Sequence, residues 1–287
     1  MRISVKQLNM FGTLRTDMAI GGCPRMWALH YLDGLRREWL APQLVDGIKA
    51  HACFESLHRD GIMPKPQELQ PGVVLTPEDV RPEGHFGRVA RAALVHVPVR
   101  EYGQWEHEHE GFFEWTTTKG VTVEIDLRPD LMSVIEPGLL AYLIDLKTTG
   151  NKRNALTDDK GKKPLRDDVQ ANVYSHGLHL LGAGSTLARW IYVDRNTYAS
   201  WPVERWFEPK KTEAWLHDNI DATVELIHLF REHGALTALD LPGDENACGG
   251  TARFCDHGFE HCLGPVGAKA SRLITLEEIT RYIGRTE

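Results

Sequence analysis

The sequence predicts an α/β protein built on a mixed β-sheet flanked by helices. Three observations lead there: helical segments with apolar residues at spacing four, a middle stretch alternating with period two, and strands mixed with helices without a strict βαβ repeat. With 287 residues, 42% hydrophobic and 25% charged, the chain can bury a substantial core. No run approaches a membrane span, and the opening "MRISVKQLNMFG" lacks an apolar h-region followed by a cleavage site. A cytoplasmic location is the expectation. The net charge of −7 argues against broad attraction to polyanions and leaves room for a local basic groove or a carboxylate-rich metal site.

"CPRMWALHYLDGLRREWL" places Trp27, Tyr31 and Leu35 on one helical face, with Pro24 in the first turn, and predicts an N-terminal helix over 24–40. A second helix, "LVDGIKAHACFESLHRDG", should end at Gly61. Residues 62–88 are rich in Pro and Gly and read as loop around short elements. From Trp105 the alternation of "WEHEHEGFFEW" and "VTVEIDLRPDLMSVI", the turn "EPG" and the strand "LLAYLIDLK" predict a β-meander. A polar loop leads to the helix "DVQANVYSHGLHLLG", stopped by Gly182 or Gly184. A strand pair, "ARWIYVDRN" and "ASWPVERWF", then a long helix, "KTEAWLHDNIDATVELIHLFREHG", and a cysteine-bearing tail complete the chain. One domain over residues 1–287 is expected, with its core at about 44–207, and the N-terminal helix and residues 208–287 packed around it.

Chemistry concentrates in "LLAYLIDLKTTG". Asp145 and Lys147 share one face of an otherwise apolar strand. If Pro137-Gly138 forms a two-residue turn, Glu136 faces Leu139 and Asp130 lies opposite Asp145. Their Cβ atoms would then be about 4.5–5.5 Å apart, and two like charges at that spacing call for a cation between them. Magnesium, binding carboxylate oxygens at about 2.0–2.1 Å, suits that place. Lys147 would stand beside the reacting phosphate. The bland alternative is a salt-bridged sheet edge, with Asp145 and Lys147 paired and Asp130 capping a turn.

The order "RPD", fourteen residues, "IDLKTT", then "VQANVYSHG" resembles the PD-(D/E)XK nuclease superfamily, within it the RecB-like and RecE-like exonucleases. The resemblance runs from about Ser4 to Gly182 and implies a restriction-endonuclease-like core. It implies a metal site at Asp130 and Asp145 with Lys147 beside it, and a helix carrying Gln170 and Tyr174 one turn apart to position the strand. It also makes Gly47 and His51 of "DGIKAHACFE" the Gly-x-x-x-His motif, with His51 a further metal ligand and Glu55 one turn on. Asp126 in "VEID" competes with Asp130 for the first acidic position; spacing to Asp145 and the "RPD" context favour Asp130.

Cys248, Cys255 and Cys262 recur every seven residues and Cys23 precedes the first helix. This spacing lacks the short knuckles of structural zinc sites, although His257 and His261 could supply nitrogen, and four thiolates suit a 4Fe-4S cluster. One cysteine before the core and three after it resembles the iron–sulfur nucleases of the superfamily, such as CRISPR adaptation nucleases and AddB-type subunits. Zinc and plain thiols stay open as alternatives, and Cys53 is read as an ordinary buried thiol.

The expected function is that of a Mg²⁺- or Mn²⁺-dependent deoxyribonuclease, most simply an exonuclease, serving recombination, repair or phage- or CRISPR-related processing. The Leu146 carbonyl would be a further metal ligand. Lys152, Arg153, Lys160, Lys162, Lys163 and Arg166 would track the DNA backbone. The rival is a non-catalytic nucleic-acid-binding or assembly module on the same scaffold. DNA is the expected partner, no membrane is involved, and a homo-oligomer or a repair-protein partner is left open.

Overall fold

A computed structural model describes residues 1–11, 13–15, 18–20, 24–32, 42–98, 104–136, 138–150, 155 and 164–233. In chain order the elements are β1 (Arg2–Ile3), α1 (Val5–Phe11), β2 (Thr13–Arg15), β3 (Met18–Ile20), α2 (Pro24–Tyr31), α3 (Pro42–Asp60), β4 (Gln67–Gln70), β5 (Val73–Leu75), α4 (His85–Leu94) and β6 (Gln104–His107). There follow β7 (Gly111–Thr116), β8 (Thr122–Leu127), β9 (Leu131–Glu136), β10 (Leu140–Thr149), α5 (Val169–Leu180), β11 (Ser185–Asp194), β12 (Ser200–Phe207) and α6 (Pro209–His233). The mixed α/β class is as the sequence predicts. Among the described residues no helix is long and apolar enough to cross a membrane.

The described residues fall into two compact units. One draws on the described residues within 1–38, 112–126 and 213–233, the other on those within 39–111 and 127–212.

The second unit holds a five-stranded sheet of order β12-β11-β10-β9-β6. β10 and β11 run parallel over ten residue pairs, and the other neighbours are antiparallel. This corrects the expected meander: β7 and β8 leave this sheet for another of order β1-β8-β7, and β6 pairs with β9 instead. Alternation marks a strand with two unlike faces but carries no information about its partner.

β10 is a central strand whose Ala141, Leu143, Ile144 and Leu146, on both faces, are fully buried, which is why its sequence is nearly all apolar. One of its faces gives Ile144 and Leu146 to a core shared with Leu131, Ile191 and Val193, packed against Ala50, Cys53 and Phe54 of α3 and Phe86, Val89 and Ala90 of α4. The Cys53 thiol is free and buried, and that burial pushes its pKa up to about 12. α3 stops at Gly61, whose φ of 74° is left-handed and whose N–H donates to the Leu57 carbonyl at 3.1 Å. The other helix, α5, comes so close to Leu127 that a Cβ on Gly177 would stand 2.4 Å from that leucine's side chain. Only glycine permits this approach.

In the first unit Phe11, Trp27 and Phe230 form an aromatic cluster with ring centroids 5.3–6.4 Å apart. The buried Asp221 accepts from Trp115 Nε1 and from the Thr118 N–H, both at 2.8 Å. These contacts satisfy a carboxylate that burial would otherwise penalise. Of the expected helix over 24–40, Pro24–Tyr31 is helical and 33–40 lies outside the described residues.

Candidate active site

The β9–β10 hairpin positions the acids. Glu136 pairs with Leu140, not Leu139, and a bulge between Leu140 and Ala141 shifts the frame. Beyond the bulge the pairs Ala141↔Val134 to Ile144↔Leu131 follow the expected register. The next position on the β9 side is Asp130, one residue before the strand begins. Its Oδ2 accepts the Leu146 N–H at 2.8 Å, replacing the backbone carbonyl that a longer β9 would supply. Its Oδ1 stands 3.2 Å from His51 Nδ1 on α3.

Asp145 and Lys147 project from the same face of β10 and pair directly, Nζ to Oδ2 at 2.6 Å. Gln170, in the first turn of α5, closes the group: its Nε2 donates to Asp145 Oδ1 at 2.6 Å and its Oε1 accepts from Lys147 Nζ at 3.0 Å. Asp168 fixes that turn as the N-cap, its Oδ1 accepting the Ala171 N–H at 2.8 Å.

Burial and the neighbouring Asp130 charge push the Asp145 carboxyl up to about 6, against the pull of Lys147. Burial also disfavours charge on Asp130, but His51 and Lys147 outweigh it and hold this acid below the ordinary range. The two carboxylates are thus split, as expected when like charges share a low-dielectric site. For His51, burial opposes protonation, yet the charge and hydrogen bond of Asp130 raise it to about 9. Burial likewise opposes charge on Lys147, and Asp145 and Asp130 overcome it, raising its pKa. Lys147 is therefore a fixed cation at any physiological pH.

The structure forms two contacting groups, His51 with Asp130 and Asp145 with Lys147 and Gln170, and the Leu146 N–H, between Asp145 and Lys147 on β10, links them by its bond to Asp130. Tyr174 lies one turn beyond Gln170 and is 7% exposed. Its burial, then the Asp145 and Asp130 charges, raise the phenol's pKa, while a backbone hydrogen bond at Arg128 works the other way. Leu146 is fully buried and offers its N–H to the site. Asp126 belongs to the first unit and pairs with Arg2. Arg166 is described and stands 3.6 Å from Asp167. Lys152, Arg153, Lys160, Lys162 and Lys163, and the expected cluster ligands Cys23, Cys248, Cys255 and Cys262, lie outside the described residues.

Two acids of this neighbourhood escape the sequence reading. Glu108, with φ 43°, gives its N–H to the Asp130 carbonyl at 3.1 Å. Its desolvation, then the charges of Glu55 and Asp130, raise its pKa. No spacing could have shown it, because β6 meets β9 only after two strands have left the sheet. Asp168 was findable: an Asp directly before an apolar helical run is an N-cap signature.

A profile of the PD-(D/E)XK nuclease superfamily matches residues 19–244. The chain belongs to the PD-(D/E)XK nuclease superfamily. No curated protein matches it. The solved structure of SSO0001 is similar at 18% identity over 43% of this chain, with a TM-score of 0.25, too low to carry an argument. The PD-(D/E)XK chain spans 50% of that protein's length.

PD-(D/E)XK nucleases typically use Mg²⁺ or Mn²⁺, and the donors here suit such an ion: two carboxylates under mutual repulsion and one imidazole. Among the described residues no three His, Cys, Asp or Glu side chains form a ready cage. The Asp145 oxygens are engaged by Lys147 and Gln170, and those of Asp130 by His51 and the Leu146 N–H.

Proposed function

We propose that this PD-(D/E)XK protein is a Mg²⁺- or Mn²⁺-dependent deoxyribonuclease of the exonuclease type. The observation that supports it is the convergence, at one end of β10, of Asp145, Lys147 and Gln170 with Asp130 and His51. Asp130, Asp145 and His51, with the Leu146 carbonyl, would hold the ion. When bound, the ion supplies Lewis-acid stabilisation of phosphate charge and makes water more acidic.

The chain's own residues do the rest. Lys147, a permanent cation on a rigid strand, faces the charge that develops on the phosphoryl oxygens and needs no reorganisation to do so. Gln170 holds both the carboxylate and the ammonium in place through one amide. Tyr174, one turn along α5 from Gln170, would help position the scissile strand. His51, neutral as a ligand, must first lose the proton that Asp130 stabilises.

The exonuclease assignment draws on the motif order in the sequence. Digestion of closed circular, linear duplex and single-stranded DNA with Mg²⁺ or Mn²⁺ tests it. Linear strands should be degraded from their ends and closed circles spared. Degradation of circles would make it an endonuclease, and no metal-dependent cleavage of any substrate would overturn the reading.

A further inference from the structure

Arg195 sits in the turn between β11 and β12, where no motif marks it. Its N–H donates to the Thr149 carbonyl at 2.9 Å, so the turn prolongs the β10–β11 ladder past the strand that carries Asp145 and Lys147. Its Nη2 lies 3.2 Å from where a Cβ on Gly150 would stand. Gly150 lies three residue steps along the chain from Lys147, about 10 Å, within reach of the nucleotides flanking a cleaved bond.

The turn is rigid. Asp194 Oδ1 accepts the N–H groups of Asn196 and Thr197 at 2.8 and 3.1 Å, and the Tyr198 N–H returns to the Asp194 carbonyl at 2.8 Å. Tyr198, at φ 59°, is held by His85 at 3.1 Å from its hydroxyl and by the Arg88 guanidinium 4.3 Å from its ring centroid. The Arg195 guanidinium is held less tightly. Its Nη1 is 3.6 Å from Asp46 Oδ2, with side chains 26% and 43% exposed. A pair that long and that wet contributes little to stability.

Asp46 lies on α3 next to Gly47, which is one turn before His51 on the same helical face. Nothing stands within 4 Å of where a Gly47 Cβ would be. Gly47 thus leaves the turn of α3 between His51 and the Asp46–Arg195 pair open at that position. A planar guanidinium matches a phosphate bidentately, which an ammonium cannot do.

We propose that Arg195 is a phosphate ligand for the substrate strand beside the cleavage site, and that Asp46 competes with the phosphate for it. The proposal rests on the nuclease reading and adds a contact to it. The test is fluorescence anisotropy of fluorescein-labelled oligonucleotides, single-stranded and duplex, across a salt series. Ca²⁺ replaces Mg²⁺ to keep the strand intact, and thermal melts run alongside. Arg195→Ala should weaken binding about three- to tenfold and reduce the salt slope by about 0.7–0.9, the signature of one lost phosphate contact. Asp46→Asn should move binding the other way, tightening it. If both variants bind as the wild type does while the wild type cleaves DNA, the pair is only a staple and the proposal falls alone. If both lose affinity together with melting temperature, the staple is again the answer. A wild type that neither binds nor cleaves DNA overturns the nuclease reading and this contact with it.

Discussion

Gln170 and Asp145 are joined by a 2.6 Å hydrogen bond whose other half, the Gln170 carbonyl oxygen, receives Lys147 at 3.0 Å. One amide therefore sets the spacing of the two charges. Gln170→Ala should leave a folded protein in which Lys147 and Asp145 pair without a guide, and cleavage should fall by about 10²-fold, the order of cost for misplaced catalytic groups. Single-turnover kinetics with saturating DNA measure it. Wild-type rates would reduce Gln170 to a surface residue.

Lys147→Met keeps the aliphatic stem and removes the charge. It should lower cleavage by about 10²–10³-fold, as loss of a preorganised charge stabiliser does, with circular dichroism unchanged. Cleavage within a fewfold of wild type would remove Lys147 from the chemistry.

Asp145→Asn should abolish cleavage yet stabilise the metal-free protein at neutral pH. A carboxyl whose folded pKa of about 6 exceeds its ordinary 3.8 holds its proton more tightly in the native state. Its influence therefore favours folding below 3.8 and fades as pH rises through about 6, leaving a net penalty above. Neutralising it should raise stability by on the order of 1–3 kcal/mol at pH 8 and leave it nearly unchanged at pH 3. Chelator-treated melts at the two values decide. A lower melting temperature for the variant at pH 8 would show that the Lys147 pairing outweighs the repulsion.

As the proposed ligand, His51 would make metal binding release a proton. Raised from 6.5 to about 9, the imidazolium stabilises the metal-free fold fully below 6.5, and that contribution is lost as pH rises through about 9. Mn²⁺ affinity should therefore climb with pH toward 9, with near one proton released per ion at pH 7.5. Calorimetry in buffers of different ionisation enthalpy reads the proton count. A buffer-independent heat would exclude His51 as a ligand that has to deprotonate.

Gly177→Ala and Gly47→Ala should move stability in opposite directions. The first drives a methyl into Leu127 and should cost about 1–3 kcal/mol. The second enters open space on a helix and should gain about 0.5–1 kcal/mol. Urea titration of both variants provides the comparison.

The local elements were legible because their signals are local. Trp190 and Tyr192 lie in a strand whose pattern needs no partner to be seen, and Gly61 and Gly182 stop their helices where φ turns positive, at 74° and 100°. Asp130 opposite Asp145 was readable because a hairpin fixes register within a few residues. Strand order was not, since β8 chooses β1, more than a hundred residues away, and that choice removes the meander. Glu108 and Arg195 reach their places only through such long-range pairings. The cysteine-bearing tail lies beyond the described residues, and its cluster reading stays a matter of sequence.

The bulge between Leu140 and Ala141 separates two mechanical duties of β10. Its frame is already locked by ten parallel pairs with β11, so Asp145 and Lys147 point toward α5 whatever happens at the hairpin tip. The bulge absorbs the mismatch there like a slip joint. Insertions beside Gly138 should consequently be silent at the site, whereas one residue added between Asp130 and Met132 would move the acid off Leu146 and uncouple the two halves of the centre. The tip is thus a place where added length would be felt by the turn after α5, whose Gly182 carbonyl accepts the Gly138 N–H at 2.6 Å, before it is felt by the chemistry.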